Sequence, residues 1–427
     1  MNRIRIPIIA LTISFTTLSF GQTESLQELI NTAIEVSPKI KMLEMKKQAA
    51  SNRIEQNSNL PDPMLTLGLM NLPTNSFSFT QEPMTGKIIG LSQMFPFPGK
   101  LSAISDAASV DTAIVLQEIK DGENEIRKMV SKKYYALSYI RKALLYSQES
   151  KNLLEKISDV VSTKYTVTKA SQQNLIKVQL ELTRISDKIE EDLKSKEASV
   201  AAELNALLLR DAGSEILTES YEQINYINFS VNQLDSLSRL YRPYLKGIEL
   251  ANKKEVFKQN IAEKDYYPNF TLGLQYSFRD EIAKTKTPLN DFFSVMVGIS
   301  LPLNYGGKVS AKVQESVSMQ EFYTDQYSLA VQMLNGEFGS AVSQLESLEE
   351  RIKLFEDGLL PQAQQNLKSA LASYQVNEVD FINVIDAEDQ LFKIETNLYK
   401  LKTDYLKQIA DLEFLTGTSL PAADRFK

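Results

Sequence analysis

Fifty-four acidic side chains, eleven methionines and neither histidine nor cysteine define the chemistry open to this chain. Paired carboxylates can act as acid and base, as in glycoside hydrolysis. Here none sits in a compact motif near a strand end, and the commonest general base, histidine, is missing. Without cysteine there is no thiol nucleophile, disulfide or thiolate metal site. No glycine-rich phosphate loop or dinucleotide pattern occurs. The sequence therefore excludes an enzyme and implies no cofactor. Met64, Met70, Met84, Met94 and Met296 could offer thioethers to a soft metal. Methionine more often fills gaps, so no metal site is assigned. A net charge of −7 argues against nucleic acid as partner.

What must position such residues is a repeated element. Pro63-Met64-Leu65-Thr66-Leu67-Gly68-Leu69 returns as Pro268-Asn269-Phe270-Thr271-Leu272-Gly273-Leu274, an offset of 205 residues. Pro38 and Pro243 keep that offset; Gly90-Leu91-Ser92 and Gly298-Ile299-Ser300 are 208 apart, and so are Gly99-Lys100 and Gly307-Lys308. Tyr165-Thr166-Val167 and Tyr374-Gln375-Val376 are 209 apart. The chain is one unit written twice, with small insertions. In the second copy Phe270, Leu272, Leu274, Tyr276 and Phe278 alternate with Thr271, Gly273, Gln275 and Ser277, which is strand spacing with one apolar face.

Residues 1–21 read as a secretory signal, with Arg3 and Arg5 ahead of an apolar run and Ser19-Phe20-Gly21 before the cut. Its loss would leave a mature charge of −9, the full-length −7 less two arginines. The absence of cysteine leaves no acceptor for an N-terminal lipid. No later run of 18 apolar residues occurs. The first repeat is expected over 22–209, with strands near 64–72 and 87–95. A connector follows at 210–230. The second repeat takes 231–427, with strands near 269–278 and 292–301. Each repeat carries two long helical stretches at 3–4 spacing, the first running from Lys100 to about Tyr165. At 1.5 Å per residue this spans roughly 95 Å, a coiled-coil or tubular length. A break is expected at Pro361.

Strands of about ten alternating residues have the length and pattern of tilted strands in a bilayer. Four strands cannot close a barrel alone, and open edges in lipid are excluded. Either several chains close one barrel, three or four being possible, or the strands form a soluble sheet. Thr66, Gly68, Thr271, Gly273 and Ser300 would then line the lumen.

The duplicated strand–strand–long-helix–helix unit resembles the TolC family of outer-membrane efflux proteins over nearly the whole mature chain. Pro61-Asp62-Pro63, Pro83-Met84-Thr85-Gly86 and Ser92-Gln93-Met94-Phe95-Pro96-Phe97-Pro98-Gly99-Lys100 are similar to its heavy-metal branch (CusC- and CzcC-like). Leu360-Pro361-Gln362-Ala363 resembles the proline before the second helical tip, and Asn383-Val384-Ile385-Asp386-Ala387 the gate segment. The resemblance implies a mainly α fold with a small β part. A homotrimeric, twelve-stranded outer-membrane barrel would continue into a long periplasmic α-helical barrel. It also implies a passive exit duct of a tripartite system, working with a periplasmic adaptor and an inner-membrane pump, RND-type, with metal cations as cargo. Asp386 and Asn383 would form the periplasmic gate, three Asp386 carboxylates making an anionic ring. Tyr165, Thr168, Tyr374 and Asn377 would mark the adaptor-contacting tips. Thr168 and Asn377 stand where the family often has glycine, and Asn383 replaces the first of two aspartates. A soluble periplasmic coiled-coil adaptor or scaffold is the competing reading.

Overall fold

The computed structural model describes residues 25–167, 171–376 and 378–420. The signal reading and the tip residues Thr168 and Asn377 lie outside them. In chain order the elements are α1 (Leu26–Val36), α2 (Pro38–Ser58), β1 (Met64–Met70), β2 (Gly86–Phe95) and α3 (Lys100–Thr166). Then come α4 (Gln172–Asp187), a π-turn segment at Lys188–Leu193, α5 (Lys194–Leu207), α6 (Val231–Tyr241) and α7 (Pro243–Lys264). The chain continues with β3 (Phe270–Phe278), β4 (Phe292–Ile299), a 3₁₀ turn at Tyr305–Gly307 and α8 (Lys308–Lys353). A second π-turn segment at Leu354–Leu359, α9 (Leu360–Gln375) and α10 (Phe381–Thr416) complete it.

The chain forms two units. The first comprises Met1–Val36, Met129–Ile224 and Glu350–Lys407; the second comprises Ser37–Lys128, Asn225–Glu349 and Gln408–Lys427.

Local chemistry explains the helix starts. Ser37 Oγ accepts from Ile40 N–H at 3.4 Å, and Pro38 follows at the first helical position, where no donor is lost. Pro243 takes the same place in α7. Ser230 and Gln233 form a reciprocal capping box on α6. Both longest helices follow a glycine in the left-handed region, Gly99 at φ 79° and Gly307 at φ 71°. The repeated Gly-Lys pair is thus a shared turn from strand exit to helix start.

In the second unit, the four strands form one antiparallel sheet in the order β1-β2-β3-β4. The register puts Leu65, Leu91, Leu274 and Val295 in one row and Leu67, Ile89, Tyr276 and Phe293 in the next. The intervening row on the other face is Thr66, Gly90, Gln275 and Ser294, and the row before Leu65 on that face is Met64, Ser92, Gly273 and Met296. β1, β3 and β4 are slightly shorter than expected and β2 starts one residue earlier; β1 ends at Met70, where Asn71 turns to φ 54°.

The first unit is helical. A core there joins Leu154, Ile157 and Val161 of α3 to Val178 and Ile185 of α4, Leu367 and Tyr374 of α9, and Phe381 and Val384 of α10. The break expected at Pro361 has a different form. The helix widens ahead of the proline, with Leu360 N–H bonded to Phe355 C=O, five residues back. Proline has no N–H for the carbonyl four residues earlier, and the wide turn absorbs that missing bond.

Candidate functional site

The candidate wall lies in the second unit. The outer face of the sheet carries large apolar side chains with nothing over them: Leu67 is 71% and Val297 70% exposed. The inner face is mostly small or polar. Thr66, Gly90, Gln275 and Ser294 form one row across the four strands, and Thr271 pairs with Gly298. Thr66, Gly68, Thr271 and Gly273 share this face. Ser300 falls one residue past β4, where its N–H donates to Asn269 C=O at 2.9 Å. It belongs to the strand exit rather than to a paired rung. Ile88 and Phe292 stand on the inner face beside Gly68 and Ser277, two apolar residues on the face that alternation gives to Gly90 and Ser294. Among the described residues no helix is long and apolar enough to cross a membrane.

Below the sheet, Asp265 ends α7 and accepts from Lys100 at the start of α3 and from Lys312 of α8 at 2.8 Å. Burial works to raise its pKa, but the two lysine hydrogen bonds hold the carboxyl below the usual range.

The candidate gate lies in the first unit. Asn383 and Asp386 are exposed and three residues apart on the first turns of α10, so they share a face. Val384, Ile385 and Ala387 between and after them are buried.

Glu388 stands beside the candidate gate and was not among the expected site residues. It is only 7% exposed and accepts from Ser150 Oγ of α3. Burial pushes its carboxyl up; the Ser150 bond opposes this, and Asp389 and Glu181 add to it. Glu395, one heptad on, is raised by burial and by Glu149 and Glu388. Both line a cavity of about 160 Å³ with Tyr146, Glu149, Leu153 and Phe392. The signal was present in sequence: Phe381, Val384, Glu388, Leu391, Glu395 and Leu398 share one helical stripe, so two acids stand at core positions.

The tip tyrosines are not equivalent. Tyr165, in the last turn of α3, is 43% exposed, and Val167 and the α4 residues Ile176 and Leu180 are exposed as well. Tyr374 is 7% exposed, edge-on to Phe381 at 5.6 Å, with the Lys164 ammonium 4.0 Å over its ring. Tyr374 is thus packed inside the hairpin, while Tyr165 is open.

Residues 237–418 match the family described as outer membrane efflux protein. A curated relative, outer membrane efflux protein BepC of Brucella suis biovar 1, is 24% identical over 168 residues. That match covers 39% of this chain and only 36% of the relative, about a third of its length. The whole fold is similar to solved outer-membrane channels. For CusC, described with its transmembrane channel formation, the TM-score is 0.74 at 17% identity, covering 92% of each chain. For VceC of Vibrio cholerae it is 0.72 at 17% identity, covering 92% of this chain and 96% of that one. For MtrE of Neisseria gonorrhoeae in its open state it is 0.74 at 14% identity, covering 92% and 89%.

Proposed function

We propose that this chain belongs to the TolC-like outer-membrane efflux proteins, which it matches over residues 237–418 and in fold, and is one protomer of a passive exit duct in the outer membrane with a periplasmic extension. The observation that carries this reading is the sheet. One face is apolar and uncovered, the other small and polar, and β1 and β4 are left as open edges. Lipid suits the first face and water the second. Unpaired edge amides cannot face hydrocarbon, so further copies must complete the wall. Three copies give twelve strands. The scaffold reading offers no cover for the apolar face.

The duct works as a homotrimer with a periplasmic adaptor, which meets the exposed apolar tip at Tyr165, and an inner-membrane pump of the RND class. Three Asp386 side chains narrow the entrance and bias it toward cations. Metal cations are the proposed cargo. Support comes from Met64, Met94 and Met296, whose thioethers stand on the inner face, ligands that soft metals prefer.

The test is purification from the outer-membrane fraction and reconstitution in a planar bilayer. A trimer with a cation-preferring pore is expected, and Asp386→Ala should raise closed-state conductance and weaken the preference. Silver ions should reduce the current through the native pore but not through a variant with the three methionines changed to leucine. Recovery as a soluble periplasmic monomer without pore activity overturns the channel; a pore indifferent to silver overturns the soft-metal cargo alone.

A further inference from the structure

In the second unit, α7 and α8 are joined by a short ladder of side chains. Asn252 Nδ2 donates to Gln320 C=O at 2.8 Å and to Thr324 Oγ1 at 3.1 Å, and Gln320 Nε2 donates to Gln259 Oε1 at 2.8 Å. At the end of this ladder farther from the sheet the two helices leave a groove of about 410 Å³. Ile248, Glu249 and Asn252 of α7 line one side, and Tyr323, Tyr327 and Ser328 of α8 the other. We infer that this groove binds a quaternary ammonium cation. The inference goes beyond the exit duct, since the groove is built within one chain.

The lining has the chemistry for such a ligand. Tyr323 and Tyr327 are four residues apart, so they share one face of α8, and both are half-buried. Aromatic faces attract a cation whose charge is spread over alkyl groups. Ile248 is buried and adds apolar surface. Glu249 supplies the opposite charge: it is exposed, with no hydrogen bond or ion pair among the described residues. Lys246 and Lys253, one turn away on α7, do not pair with it. Arg239 lies near the Tyr327 hydroxyl, and its own charge is answered by Asp235 at 2.8 Å. The volume falls among organic-ligand sites, which run from roughly 300 to 1,000 Å³, and is far too large for a bare ion. A second cavity of about 220 Å³ shares Ile248 and Tyr323 and has Glu118 and Asp121 in its wall. Those acids are already answered, Glu118 by Lys46 at 2.6 Å and Asp121 by the charges of Arg242, Lys39 and Lys128. The larger groove keeps its acid free.

The internal repeat shows that helix packing alone does not call for this lining. At the offsets of 205 for α7 and 208 for α8, the first copy has Lys47, Val115, Ile119 and Lys120 where the second has Asn252, Tyr323, Tyr327 and Ser328. Two lysines and two aliphatic residues thus correspond to two polar neutral residues and two aromatic rings. Glu44 and Glu249 are common to both copies. The acid belongs to the duplicated scaffold, whereas the rings and the loss of both lysines belong to the second copy alone.

The chain has no tryptophan, so Tyr323→Trp adds a single fluorescent reporter, and one whose ring binds cations better than tyrosine. The full-length protein in detergent is titrated with benzyltrimethylammonium and, in parallel, with benzyl alcohol, which has the ring without the charge. The reporter's emission should change saturably with the cation and not with the alcohol. Calorimetry on the native protein should give the same ligand preference. Tyr327→Leu should weaken binding about tenfold, while Tyr327→Phe, which keeps the ring, should bind as the native protein does. Glu249→Gln should weaken binding several-fold at low salt and less at high salt. If Tyr327→Leu fails to fold, Glu249→Gln, at an exposed position, carries the test. Equal affinity for benzyl alcohol overturns the inference, because the groove would then be merely apolar. So does the absence of saturable binding by both methods, or unchanged affinity in Glu249→Gln and Tyr327→Leu together. A protein that binds the cation but forms no pore keeps this inference and overturns the channel reading.

Discussion

Lys312 Nζ lies 2.8 Å from Asp265 Oδ2, while Lys100 holds the other oxygen of the same carboxylate. One acid at the end of α7 therefore ties the starts of both long helices beneath the sheet. Its pKa is lowered in the fold, so it contributes stability above the unfolded carboxylate value near 3.9 and loses it as pH falls through the lower folded value. Asp265→Ala should cost about 1–3 kcal/mol at pH 7, because two half-buried ammonium groups lose their acceptor. Thermal unfolding in detergent checks this. The gap to the native protein should shrink below pH 4, and an equal gap at pH 7 and pH 3.5 would count against the assignment.

Glu388 has the opposite sign. Burial raises its carboxyl, so the folded chain holds a proton that the unfolded chain releases. Its contribution is complete below the unfolded value near 4.3 and is lost as pH rises through the folded one. Glu388→Gln keeps an acceptor for Ser150 without the charge. The variant should melt higher than the native protein at pH 8 and match it near pH 4. A lower melting point at pH 8 would mean that the charge itself is needed.

Gly417 follows α10 at φ +75°, where side chains are disfavoured. A Cβ there would stand 2.6 Å from Arg242 Cα and 2.8 Å from Tyr241 O, backbone atoms with no freedom to move aside. Gly417→Ala should destabilise by more than about 2 kcal/mol from overpacking and backbone strain together. Gly247→Ala in α7 meets only an ordinary contact, Gln117 Cβ at 3.9 Å, and should be neutral or stabilising. Equal melting points for the two variants would show that the α10 end does not press on Arg242.

The repeat, the four strands and the helix starts at Pro38 and Pro243 were legible because each rests on local rules: alternation, capping and the missing proline donor. The sheet register was not. It depends on long-range pairing, and it alone brings Ile88 and Phe292 into one row with Gly68 and Ser277. The π-turn segment at Lys188–Leu193 has no proline or glycine to announce it. Tyr165 and Tyr374 are twins in sequence, yet only Tyr374 has Phe381 to pack on. Equivalent positions in a duplicated chain meet different neighbours, and neighbours decide exposure. Glu388 was readable from helical period, because it falls in the stripe of Phe381, Val384 and Leu391.

The two faces of β3 give the sharpest test of where the sheet rests. Leu274 stands in the outer apolar row with Leu65, Leu91 and Val295, and the next residue, Gln275, faces inward with Thr66 and Ser294. Lysine on the lipid side near the bilayer midplane costs about 2–4 kcal/mol, whereas a lysine in a water-filled lumen keeps its hydration. Leu274→Lys should reduce the amount of trimer recovered from the outer-membrane fraction. Gln275→Lys should insert normally, and in a planar bilayer it should lower cation preference, because three new ammonium groups would line the pore. Failure of both variants to insert would point to general misfolding, which Thr271→Ser, a conservative change on the inner face, controls for. If Leu274→Lys inserts as well as the native chain, the apolar face does not contact lipid. If Gln275→Lys leaves selectivity unchanged, the inner face is not the pore wall.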